Sequence, residues 1–316
     1  MHRLSRRQLL QSAACGFGSL ALAGLTARGA TAAINPLAPK PTMIAPRARR
    51  VIFLFMQGGP SQVDTFDFKP QLAKYDGQQF DFRNSRKLAN TGTSGKETVM
   101  KSPWKFRQYG ESGQWVSELF PHIAQQVDKC TFLHGLHTDG VAHGPATLFL
   151  HCGSINLVRP SVGSWITYGL GSENDNLPGF VTIGPCSTNG GPRNYGAAFL
   201  PPTYQGTALG KVGQKPRDFK FNHIATDRES LPRRERQFEL LTSLNQLQAR
   251  DEAAEGVIHS YELAWRMQMH APGLLDLSQE SPATLAKYGI DEPATDDYGR
   301  QCLMARRLAE AGVRYI

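Results

Sequence analysis

The run Val51-Ile52-Phe53-Leu54-Phe55-Met56, closed by Gln57-Gly58-Gly59-Pro60, constrains the fold more than any other stretch. A continuous apolar run rich in Val, Ile and Phe predicts a strand buried on both faces, ending in a tight turn. It is therefore expected at the centre of a sheet. Thr131–Leu136 and Phe180–Ile183 are expected in the same sheet. Ser117–Val127 places Leu119, Phe120, Ile123 and Val127 on one helical face, and His143–His151 and Ser161–Leu170 read as short helices. Long amphipathic patterns occupy 231–270 and 297–311. Residues 76–114 read as a polar surface insertion and 184–230 as loop. Strands alternating with helices predict an α/β fold, a doubly wound and mostly parallel sheet. Val313–Ile316 alternates like an incoming core strand. A core strand needs a connection back to the surface, so the expectation is a domain lacking its C-terminal part, inactive alone and with apolar surface left bare.

Ser5-Arg6-Arg7-Gln8-Leu9-Leu10 matches the twin-arginine pattern. An apolar, small-residue run from Ala13 to Thr26 follows, then Ala30-Thr31-Ala32 as a cleavage site. Residues 1–33 thus read as an export signal, 34–49 as a Pro-, Ala- and Arg-rich linker, and 50–316 as the domain. The expected location is the periplasm or beyond, with membrane contact only during export. Positions 1–50 hold eight Lys and Arg and no acid, while 27 basic and 27 acidic residues balance from Val51 onward. The net charge of +8 is therefore a targeting and linker charge, and no nucleic-acid partner is expected. Cys130, Cys152, Cys186 and Cys302 are widely spaced and form neither a zinc motif nor a disulfide framework.

Two stretches concentrate chemistry. Gln57–Asp67 lies at the carboxyl end of the first strand, where ligands bind in open α/β sheets. Asp64 and Asp67 there offer hard oxygen ligands, or cap local turns. The second is Leu133–Pro145. Five of the nine histidines fall within residues 122–151; His122 and His151 sit in helical patterns and read as packing residues. His137, Asp139 and His143 are the candidates for a site, beside a helix N-terminus that favours an anion.

Phe53–Asp67 resembles the opening of a bacterial family catalogued as domain of unknown function 1501. Gly113–Leu119, His137–Asp139 with His143–Ala146, Arg159–Trp165, Tyr168–Glu173 and Leu177–Phe180 resemble it too. Its members resemble the alkaline phosphatase and sulfatase superfamily, and the resemblance implies a doubly wound sheet, two metal ions and a nucleophile at a helix N-terminus. His143–Gly153 keeps that nucleophile motif's spacing, with His143 at the nucleophile's position and Ala146 and Thr147 in place of Ser and Arg. Gln57 and Gly58 stand where an Asp ligand ends the first strand. Residues 271–316 contain no histidine.

The resemblance implies a divalent-metal hydrolase of sulfate or phosphate esters on a small molecule or polysaccharide. His143 would be catalytic, and Asp64, Asp67, His137 and Asp139 would hold the metal. The alternative is a non-catalytic exported protein that binds a carbohydrate or cell-surface partner. Replacing Arg6 and Arg7 together with Lys is expected to leave unprocessed precursor in the cytoplasm, as read by fractionation and immunoblotting. Normal export of that variant would refute the signal.

Overall fold

The structure, a computed structural model, describes residues 35–42, 44–81, 96–140, 142–221, 231–246 and 252–316. The segment expected to be an export signal, 1–33, lies outside the described residues. After Val51–Met56 the chain turns at Gly58 and Gly59, whose φ of +84° and +68° glycine adopts without a Cβ penalty. Then come α1 (Pro70–Lys74), β1 (Gln79–Asp81) and β2 (Lys96–Thr98), β3 (Phe106–Tyr109) and β4 (Gln114–Ser117), and α2 (Pro121–Ala124). Two helices follow: α3 (His143–Cys152) and α4 (Val162–Leu170). The second half holds β5 (Val181–Ile183), β6 (Thr207–Leu209), α5 (Leu231–Gln246), α6 (Glu252–Leu275), α7 (Pro282–Lys287) and α8 (Asp296–Glu310).

Local chemistry fixes several ends. Ser161 caps α4, its side chain accepting from Ser164 N–H. Gly153 ends α3 in the left-handed conformation. At the start of α8, Asp296 accepts from Arg300 Nε at 2.9 Å and from Asp291 N–H at 2.8 Å. Those bonds, Arg300 first, hold its carboxyl down at about 2.

The strands form three two-stranded sheets: β1–β2 and β3–β4 antiparallel, β5–β6 parallel. Two more extended segments join the parallel pair through single bridges. Tyr315 pairs in parallel with both Val51 and Phe180. Arg314–Ile316 therefore runs between Val51–Phe53 and β5, and the spatial order is first, last, second, third.

The main core lies on one side of this array. Val181, Leu209, Val313 and Ile316 pack there with Leu263 and Met267 of α6 and with Met304 and Leu308 of α8. On the other side α4 comes close to Phe180: a Cβ on Gly163 would stand 2.5 Å from that ring. A smaller cluster, Val116, Ala124 and Val127 with Phe66, Phe120 and Phe132, supports the β3–β4 hairpin.

The described residues form a mixed α/β structure with small sheets, and to that extent the α/β expectation holds. Several other expectations are corrected. Val51–Met56 is not central. It pairs on one side only, and Leu54 is 57% exposed. Its composition suits burial, but no described element covers its outer edge. Thr131–Leu136 is not a strand; it turns at His134 and Gly135 and exposes Leu133 and Leu136, with no ladder to join among the described residues. Ser117–Val127 is not one helix, because Ser117 completes β4 and Pro121, at the first position of α2, bars a helix that begins earlier. The insertion at 76–114 contains β1, β2 and β3, and its described residues, 76–81 and 96–114, are mostly exposed. The loop at 184–230 contains β6. Val313, Tyr315 and Ile316 are buried, as a core segment should be.

Leu209 is fully buried, so Leu209→Ala is expected to cost about 2–5 kcal/mol. Leu54→Lys on the open edge should stay within about 0.5 kcal/mol. Urea denaturation monitored by circular dichroism distinguishes them, and equal losses would contradict the edge placement.

Candidate functional site

A cavity of about 330 Å³ opens beside the carboxyl ends of the parallel segments, the crevice where open α/β sheets hold ligands. Phe53, Phe55, Phe180 and Tyr315 contribute apolar lining. The polar lining comes from Gln57, Cys186, Asn189, Tyr195, Tyr298 and Gln301. Among the described residues, no Asp, Glu, Lys or Arg lines it. His151 of α3 joins the wall and sets its ring edge-on against Phe53 and Phe55, with centroids 5.6 and 4.9 Å away. Burial lowers the His151 pKa and so favours the neutral ring.

Three hydrogen bonds converge on Cys186 in this wall. The Thr188 hydroxyl lies 3.1 Å from Sγ, the Thr188 N–H donates at 3.2 Å, and Gln57 Nε2 donates at 3.0 Å. These bonds, the Thr188 hydroxyl foremost, draw the thiol below its ordinary range despite some desolvation. Cys302, also on the wall, is pushed up by burial. Cys152 is pushed up by burial to about 11. All four described cysteines are free.

The sequence-predicted residues lie elsewhere. His143 is the first residue of α3 and exposed, preceded by Ala142 with no side-chain cap. Asp64 accepts from the hydroxyls of Ser102, the larger effect, and Ser61, which lower its pKa. Asp67 pairs with Lys69 at 2.8 Å, and its nearest histidine is His134, with Nδ1 at 3.9 Å. His137 and Asp139 sit exposed on the loop after Leu136, where Thr138 Oγ1 accepts from Gly140 N–H. A divalent ion needs several such groups around one point, and no three His, Cys, Asp or Glu side chains converge among the described residues. Asp64, Asp67, His137 and Asp139 as placed do not fit a metal ion. Cys186, Tyr298 and Gln301 were not among the candidates. The signal for Cys186 was available: Gly184-Pro185-Cys186 directly follows a buried strand at its carboxyl end.

The family model described as Protein of unknown function (DUF1501) matches residues 48–316. The chain belongs to the DUF1501 family. No curated protein and no solved structure matches it. The DUF1501 match spans every residue of the cavity wall.

In this DUF1501 chain Cys186 should alkylate with iodoacetamide at lower pH than Cys152, as read by peptide mass spectrometry across a pH series. Thr188→Ala removes the leading cause of the lowered thiol, so the Cys186 profile should move upward in pH. An unchanged profile would contradict the geometry.

Proposed function

We propose that this chain is an exported, sulfatase-like binding protein whose cavity takes an uncharged, hydroxyl-rich ligand such as the end of a carbohydrate chain. One observation carries the reading: among the described residues the wall is built mainly of aromatic rings, amides and hydroxyls and contains no formally charged carboxylate, ammonium or guanidinium. Rings offer apolar faces to the C–H faces of a sugar, and amides offer paired donors and acceptors to hydroxyls. A sulfate or phosphate group would find no cationic partner on that wall. The sequence supports export through Arg6 and Arg7 and the apolar run that follows. The exposed apolar edge at Ile52 and Leu54 supports a domain that takes further strands on that side, as the superfamily's doubly wound sheet would.

The hydrolase reading has its own supporting observation. His143 leads α3, whose first-turn N–H groups have no side-chain cap, and such a terminus favours an anion. On that reading His143 acts at the ester, and Asp64, Asp67, His137 and Asp139 would have to gather around an ion.

Calorimetric titration with neutral oligosaccharides separates the two. Binding that Gln301→Ala weakens about three- to tenfold, the value of one neutral hydrogen bond, supports the binder. Stoichiometric divalent metal in the purified protein, with release of sulfate or phosphate from aryl esters that His143→Ala abolishes, would replace it with the hydrolase.

A further inference from the structure

Helix α4 is built inside out. It buries Gly163, Ser164 and Thr167 and exposes Val162, Trp165 and Tyr168. The small buried residues have a reason, since Gly163 lies against the Phe180 ring. The bulky outward residues pack only in part: Tyr168 sets its ring edge-on against buried Tyr204 and Trp165 against Tyr168 and Phe199, yet Trp165 and Tyr168 stay 45% and 43% exposed. They are continuous with a larger apolar surface. The Phe199 ring stands 5.8 Å from Trp165 and is 70% exposed, and Leu157 and Val158 are exposed just before the helix. An apolar surface of this kind on a soluble chain marks an interaction site.

Charge identifies the partner. The segments that build the patch contain no Asp or Glu from Gly140 to Ser172 or from Asn176 to Arg217. Two acids lie between them: Glu173 is engaged by Arg50 and Arg314, and Asp175 is exposed. Lys40 Nζ lies 5.0 Å from the Tyr168 ring centroid and donates to the Tyr168 carbonyl. Exposed Arg159 adjoins Val158, and exposed Arg47 and Arg49 follow Lys40 in an acid-free linker. Aromatic rings that enter a headgroup layer, aliphatic side chains beside them and a basic rim together match a negatively charged bilayer surface. A polysaccharide would use the ring faces and the charge but has no use for Leu157 and Val158.

We propose that the α4 face, with Trp165, Tyr168 and Phe199 as anchors and Lys40 and Arg159 on its rim, docks the folded protein onto an anionic lipid surface. The proposal is independent of what the cavity binds.

The test uses the full chain and phosphatidylcholine vesicles, with and without phosphatidylglycerol, carrying lipids brominated on their acyl chains. The brominated lipid should quench Trp165 emission when phosphatidylglycerol is present. Trp165→Phe should remove the quenched component while binding persists, which separates this face from any contact by the N-terminal residues. Phe199→Ser should weaken vesicle partitioning about tenfold, the value of one buried aromatic side chain. Lys40→Glu with Arg159→Glu should abolish the preference for phosphatidylglycerol. A vesicle-bound chain whose quenching is unchanged in Trp165→Phe would overturn the proposal. So would equal binding to phosphatidylcholine alone. Protection of Trp165 from aqueous quenchers by dextran sulfate but not by vesicles would assign the face to a polyanion, and protection without either, with a dimer by sedimentation, would assign it to a second copy.

Discussion

Main-chain hydrogen bonds on both sides of Arg314–Ile316 join Val51–Phe53 to the start of β5. Val51 and Phe53 donate to the carbonyls of Arg314 and Ile316, and Ile316 N–H donates back to Val51. On the other side Tyr315 N–H donates to Gly179 and Val181 N–H to Tyr315. A backbone buried at this depth must be paired, so the segment can sit only where two extended neighbours already run in parallel. It thereby fixes Val51–Met56 relative to β5, although more than a hundred residues separate them in the chain. The alternating side chains then settle the layers: Tyr315 meets Phe180 on the α4 side, and Ile316 joins α6 and α8 in the main core.

The candidate site is a consequence of that insertion. Gln57 and Cys186 lie just past the carboxyl ends of two segments that both flank Arg314–Ile316, and they meet across its end at 3.0 Å. Helix α8 brings Tyr298, Gln301 and Cys302 to the same wall. The same arrangement leaves Ile52 and Leu54 turned to an edge with no neighbour among the described residues. An apolar, two-sided strand at an edge is a place where sheets extend.

Much of this was legible in the amino-acid pattern, and what was not has physical causes. His143–Cys152, Val162–Leu170 and Asp296–Glu310 form where helical spacing and caps indicate, because those signals are local. Val313–Ile316 reads as a core strand and is buried. The run at Val51–Met56 was legible as extended but not as an edge, since composition reports what a segment suits, not which neighbours it has. Thr131–Leu136 has β-forming residues but no partner, and without a ladder the propensity has nothing to stabilise. The candidate site was harder still. His137, Asp139 and Asp67 are chemistry-bearing types on exposed loops, whereas the cavity is lined by Gln, Asn, Tyr and Cys, whose role depends on three distant elements meeting.

Amide hydrogen exchange resolved to single residues tests the insertion of Arg314–Ile316 most directly. The account predicts slow exchange at Val51, Phe53, Val181, Tyr315 and Ile316, and fast exchange at Ile52 and Leu54, whose amides point to the open edge. Fast exchange at Tyr315 and Ile316 would contradict it, as would equal protection along the whole of residues 51–54.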